Sequence, residues 1–185
     1  MGWMPCADYS VDEATKLPLF IYNIPSRTGR LIEARTMTAL SEIDNIIGMK
    51  DACGDLMVTM DIIRATRGRK KKFYVLCGED ALTFPMMMLG GDGGILAVAH
   101  VVGKEYREMV HLCLAGKIDE AREIHYRMLP LVKMLFIETN PAPVKEAMAM
   151  MGLPAGKLRS PMVPLRPENR EALHKALAQF DLLPL

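Results

Sequence analysis

The chain has 185 residues, half of them hydrophobic, enough to bury a sizeable core within the size of one domain. Its 23 Lys and Arg against 22 Asp and Glu leave a formal charge of +1, so no global field draws it to nucleic acid or an anionic membrane, and a small-molecule substrate is the expected partner. Four cysteines, Cys6, Cys53, Cys77 and Cys113, form no C-x-x-C pair, which argues against a zinc site or a compact disulfide framework and fits reduced thiols in a cytoplasm.

Taken from the start, residues 1–16 have no assignable pattern. They show no basic segment followed by a long apolar run, and no stretch of the chain reaches the ~20 apolar residues of a membrane span, so neither a targeting signal nor a span is expected. Four short apolar runs then follow, at residues 17–25, 45–51, 72–78 and 93–99. Each is nearly continuous rather than alternating, as in parallel strands covered on both faces. Between them, residues 31–42, 56–66 and 81–89 have the length and pattern of crossover helices. The alternation predicts an α/β fold with a parallel sheet over residues 17–103. Beyond it, residues 104–115, 118–139, 142–151 and 168–180 read as helices with no strand between them, a helical region over 104–185. Asn140 is the expected N-cap of the third of these, ahead of Pro141 and Pro143, and Gly152-Leu153-Pro154 its stop.

Lys50 ends the second apolar run. Period-two alternation sets Ile46, Gly48 and Lys50 on one face, with the lysine projecting at the C-terminal end of its strand and Gly48 leaving room below. An amine in apolar surroundings sheds its proton more readily, and a neutral amine attacks a ketone to give an imine. Local pattern leaves open the plainer alternative of a lysine that caps a strand and reaches solvent. Tyr22, near the end of the first run, could shuttle protons beside such an amine; Arg27, just past a proline, could hold a carboxylate by a bidentate pair. Equally, both fit an interfacial aromatic and a surface loop residue.

The stretch Tyr22-Asn23-Ile24-Pro25-Ser26-Arg27-Thr28-Gly29 resembles the characteristic segment of dihydrodipicolinate synthases, and Gly48-Met49-Lys50-Asp51-Ala52 is similar to their Schiff-base lysine strand. The likeness continues through Gly78-Glu79-Asp80, through residues 89–95 and through Asn140-Pro141-Ala142-Pro143-Val144-Lys145, in the same order and spacing. It implies a (β/α)8 barrel of which only the last four βα units are present, followed by a C-terminal helical bundle. Four strands are half of such a barrel, so two sheet edges would stand open. The chain is then a fragment, closes by pairing with another chain, or has rearranged, and a homo-oligomer is expected.

By the same resemblance Lys50 would bind pyruvate as an imine, Tyr22 would relay protons over it, and Arg27 would receive the carboxylate of L-aspartate 4-semialdehyde. Gly78 and Ile95 match positions whose backbone borders the pyruvate site. The implied reaction, in the cytoplasmic synthesis of diaminopimelate and lysine, uses no cofactor and no metal. Related 2-keto acid aldolases, including N-acetylneuraminate lyases, share the lysine and tyrosine but lack the arginine of Ser26-Arg27-Thr28. The family also draws a threonine from the first half of its barrel and a tyrosine from a neighbouring subunit, and the regions supplying both are missing here. A non-catalytic, degenerate relative that acts only through assembly is therefore the rival reading.

Other features read as structural. The basic run at residues 67–72 is expected to be a solvated loop, and the glycines of residues 90–94 a tight turn, since no Gly-Lys-Ser/Thr follows them. Met86, Met87 and Met88 suit packing of a helix on the sheet. Neither His111 nor His125 has a second ligand at helical spacing.

Overall fold

The computed structural model of the chain describes residues 14–184, so the unassigned N-terminal segment lies almost wholly outside the described residues, as does Cys6. Two compact units meet between Ile95 and Leu96 in the chain.

The first unit is built of βα repeats. Strand β1 (Leu19–Asn23) leads through a one-turn helix α1 (Pro25–Thr28) to helix α2 (Ala34–Leu40); β2 (Ile46–Asp51) is followed by α3 (Leu56–Thr66). Strand β3 (Tyr74–Cys77) passes through a 3-10 turn (Asp80–Leu82) into α4 (Thr83–Met88), and β4 (Gly93–Gly94) completes the sheet. All pairings are parallel, in the order β1-β2-β3-β4.

Local chemistry explains several element ends. Asp55 caps α3 by accepting from Met57 N at 2.9 Å, satisfying one of the free amides of the first turn. The expected helix at 31–42 begins only at Ala34, because Ile32 N donates to the Asn23 side chain at 3.1 Å instead of entering a helix. Arg27, expected in a loop, lies in α1, which Gly29 closes at φ 71° with its amide bonded to Pro25 O.

The sheet has one covered face. Met49, Val75 and Cys77 pack there with Met37 and Leu40 of α2, Ile62 and Ile63 of α3 and Met86 of α4. On the other face stand Phe20 and Tyr22 of β1, Gly48 and Lys50 of β2, and Tyr74 and Leu76 of β3, all matched in register. That face is open: Phe20, Tyr22 and Tyr74 remain 41, 44 and 42% exposed. Ile46 does not share it. The register slips between Leu19 and Phe20, so that β2 advances two residues for one of β1, and Ile46 is fully buried in the helix-side core.

The basic run is more than a solvated loop. Lys71 Nζ donates to the carbonyls of Ser41 and Ile43, Arg69 donates to Ser41 Oγ at 2.7 Å, and Lys72 pairs with Asp92. Asp92 also accepts from Val75 N at 2.9 Å while its own amide donates to Val75 O, tying the start of β3 to the approach to β4. The turn at 90–94 uses the conformational freedom of glycine at Gly90 and Gly93, both at positive φ.

The second unit is helical: α5 (Ala99–Leu114), α6 (Ile118–Leu135), α7 (Ala142–Met150) and α8 (Pro167–Gln179). The core of α6 is Ala121, Ile124, Met128, Leu131 and Leu135, at the spacing of one helix face, and the helix packs with the other three. Against expectation, the strand at 93–99 is only two residues long and α5 begins five residues early. Ile95 N still donates to Cys77 O, but from Val98, fully buried, the apolar residues serve helix packing. At α7 the N-cap position is taken by Pro141, without a side-chain cap, rather than by Asn140. Its C-terminus closes as the Gly-Leu-Pro order predicts, with Gly152 at φ 74° and Leu153 N bonded to Met148 O at 2.8 Å. Among the described residues no helix is long and apolar enough to cross a membrane.

Candidate active site

In a parallel sheet all strands end at the same side, so the ends of β1, β2, β3 and β4 gather the sequence-selected residues there. Lys50 and Tyr22 are direct register partners on the open face, and Lys50 Nζ sits 4.1 Å from the centroid of the Tyr22 ring. The contact is with the ring face, whose quadrupole attracts the charged amine. Leu76 of β3 is the lysine's partner on its other side.

Gly78, one residue past β3, meets the lysine from that side. A Cβ built there would lie 2.8 Å from Lys50 Cε and 3.0 Å from Lys50 Cγ, so the absent side chain is the space that the lysine stem fills. Gly78 N is occupied by Asp51 O at 2.7 Å. Lys50, Tyr22 and Gly78 are thus brought together by direct contact. Arg27, exposed on α1 directly after β1, and Ile95, half exposed directly after β4, share this end of the sheet through the topology.

Gly78→Ala isolates the value of that space. The tightest approach is to the flexible Lys50 stem, with Ala52 Cβ at 3.0 Å and no backbone atom among the three nearest, so the fold should be kept, with Tm within a few degrees of the parent. Lys50 should move off Tyr22, and the keto-acid capture that the resemblance implies for Lys50 should slow by about ten- to a hundredfold, the scale of loss for a group displaced by ~1 Å. Parent-like capture in a folded Gly78→Ala protein would show that the space is not needed.

On the covered side the next register pair, Asn23 and Asp51, carries a buried polar network that sequence reasoning missed. Asp51, 1% exposed, accepts from Asn23 Nδ2 at 3.1 Å, Cys53 N at 3.2 Å, Thr59 Oγ1 at 2.6 Å and the Cys53 thiol at 3.4 Å. Asn23 in turn accepts from Ile32 N. The available signal was an Asp directly after the strand lysine, where alternation sends it into the helix-covered core, which a carboxylate enters only with donors waiting.

Two thiols border this region. Burial pushes Cys53 up to about 11, with the nearby Asp51 carboxylate adding to the rise, and burial pushes Cys77 to about 11 as well. Both are therefore protonated and unreactive at neutral pH. Burial also raises Glu79 above the ordinary carboxylate range.

Such an arrangement, βα units in parallel order with an amine at the end of one strand laid over a tyrosine of the strand before it, defines one half of a barrel of the (β/α)8 class followed by helices. The profile of the Dihydrodipicolinate synthetase family matches residues 8–180, and the chain belongs to that family. A 4-hydroxy-tetrahydrodipicolinate synthase of Moorella thermoacetica is 45% identical over 174 residues, 94% of this chain and 59% of the relative. Among solved structures, the dihydrodipicolinate synthase from Aquifex aeolicus is 39% identical with a TM-score of 0.89, over 95% of this chain and 59% of that one. A chloride-inhibited dihydrodipicolinate synthase from Acinetobacter baumannii, solved in complex with pyruvate, is 36% identical with a TM-score of 0.89, over 94% of this chain and 59% of that one. The chain thus spans about 59% of the length of the relatives it matches.

Proposed function

We propose that this chain carries the imine-forming part of a class I aldolase-type lyase that condenses pyruvate with L-aspartate 4-semialdehyde, the 4-hydroxy-tetrahydrodipicolinate synthase reaction. The observation that carries the reading is the Lys50–Tyr22 pair, amine over ring at 4.1 Å, with Gly78 clearing the lysine's path. The Nζ lone pair would attack the pyruvate ketone to give a carbinolamine, loss of water would give the imine, and loss of a methyl proton the enamine that adds to the aldehyde carbon. In this reading Tyr22 moves protons during those steps, and Gly78 and Ile95 border the bound pyruvate through their backbone. The pyruvate complex of the Acinetobacter baumannii relative supports pyruvate as the donor. Arg27 in Ser26-Arg27-Thr28 favours the semialdehyde, whose carboxylate a guanidinium can grip, over the acceptors of sibling aldolases. The reading needs neither metal nor organic cofactor, and it places the protein in the cytoplasm, where free Cys53, Cys77 and Cys113 stay reduced.

The test is mass spectrometry of the purified chain after incubation with pyruvate and borohydride. A reduced pyruvate adduct on the peptide holding Lys50 is the expected result. Its absence would favour the second reading, a relative that works only by assembly, for which the open sheet face is the specific observation.

That face also sets an expectation of self-association. Among the described strands β1 and β4 each pair on one side only, and Phe20, Tyr22, Tyr74 and Ile95 leave apolar surface beside them. Sedimentation velocity at micromolar concentration should show a dimer or larger species; a single monomer boundary would remove the homo-oligomer from the proposal.

A further inference from the structure

The imine reading gives work to Lys50, Tyr22 and Gly78 but none to the buried network behind them. Asp51 and Asn23 are the register pair that follows Lys50 and Tyr22, and strand alternation turns them to the opposite face. The Asn23 Nδ2 to Asp51 Oδ1 bond, 3.1 Å long, therefore joins β1 to β2 immediately behind the contact that lies on the open face. Two backbone bonds flank it: Ala52 N to Asn23 O at 2.8 Å, and Gly78 N to Asp51 O at 2.7 Å. The second ties in the glycine that clears the lysine. Through Thr59 and Cys53 the carboxylate is further anchored to α3 and to the loop before it, and through Asn23 to Ile32 N.

We propose that Asp51 is a positioning residue: by bonding Asn23 it locks the ends of β1 and β2 in register and so holds the Lys50 amine over the Tyr22 ring. A buried carboxylate with several donors is charge-assisted and directional, which suits it to fixing two strand ends better than apolar packing would. The network has two arms with different jobs. The Asn23 arm crosses from strand to strand and sets the amine's geometry, whereas the Thr59 arm, with the shortest bond at 2.6 Å, holds α3 and contributes to stability. The consequence for catalysis rests on the imine reading of Lys50; the positioning itself does not.

Two readouts on the full chain separate those claims. The first is the rate at which acetic anhydride acetylates Lys50 at pH 8, measured by peptide mass mapping relative to exposed Lys175. The second is borohydride trapping of the pyruvate adduct across pyruvate concentrations. Asp51→Asn should raise relative Lys50 acetylation at least fivefold, because the amine leaves its place against the ring, and should lower the maximal trapping rate about tenfold with little change in half-saturating pyruvate. Asn23→Ser, which breaks the same link from β1 and leaves the carboxylate its other donors, should do the same and carries the test if Asp51→Asn does not fold. Thr59→Val should lower Tm but keep acetylation and trapping within twofold of the parent.

If Lys50 acetylation is unchanged in the folded link variants, or rises equally in Thr59→Val, Asp51 is a stability residue only and the inference falls. Altered acetylation together with no adduct in the parent protein leaves the positioning role standing and overturns the imine reading instead.

Discussion

Replacing Lys50 by alanine should abolish the borohydride-trapped pyruvate adduct completely while leaving the chain folded. Among the described residues Lys72 also lies over a tyrosine, 5.3 Å from the Tyr74 ring, but it stands at the opposite end of the strands and is paired with Asp92, while Lys71 there is engaged with Ser41 and Ile43, so neither amine inherits the geometry of Lys50. Lys50 is partly exposed and its stem fills the space beside Gly78, so truncation should cost about 1 kcal/mol or less, within the range of partly exposed substitutions. Intact-mass and peptide analysis of parent and Lys50→Ala, after equal exposure to pyruvate and reductant, measures the first effect and thermal melting the second. An adduct that persists in the variant would move the chemistry to another residue.

The second large effect should come from Gly48→Ala, and it is on the fold rather than on the chemistry. A Cβ at Gly48 would lie 2.5 Å from the Tyr74 carbonyl oxygen and 2.5 Å from Phe20 Cε1. The ring can swing away, but the carbonyl belongs to β3, which is hydrogen-bonded to β2 at that register position and cannot retreat without loosening the sheet. Overpacking of this kind costs about 2–3 kcal/mol. For a chain of this length that corresponds to a Tm lower by roughly 5–10 °C. The contrast with Gly78→Ala is the informative part: both glycines make room, but Gly78 makes it among side-chain atoms, the Lys50 stem first, and Gly48 against backbone. Equal melting temperatures for Gly48→Ala and the parent would mean that β3 shifts more freely than its pairing suggests.

Much of this architecture was legible in the sequence, for identifiable reasons. Apolar runs of strand length separated by amphipathic segments of helix length can be satisfied only by a parallel sheet with crossovers, and the lysine's place at the end of the second run followed from counting along it. Leu56–Thr66 has the bounds that its length and apolar pattern predict, and Asp55 caps its start. Asn23 was visible only as a letter in a motif, and Asp51 only as the residue after the lysine.

Other features depended on residues distant in the chain. Nothing local could show that Ile32 N would be taken by Asn23 and the helix delayed to Ala34, that the run at 93–99 would keep only Gly93 and Gly94 as strand and yield to a helix from Ala99, or that Ile46 would be turned inward by a slip in register. The basic run at 67–72 has no local sign that its cations answer carbonyls near Ser41 and the carboxylate of Asp92. By itself, then, the sequence determined the βα order, the helical second unit and the place of Lys50 at its strand end, because period, length and breakers act through neighbours in the chain, whereas Tyr22 and Gly78 stood out only through the family resemblance. Tertiary structure decided the register that lays Lys50 over Tyr22, the space at Gly78 and the Asp51 network behind them, because each arises where separate strands come within a hydrogen bond of one another.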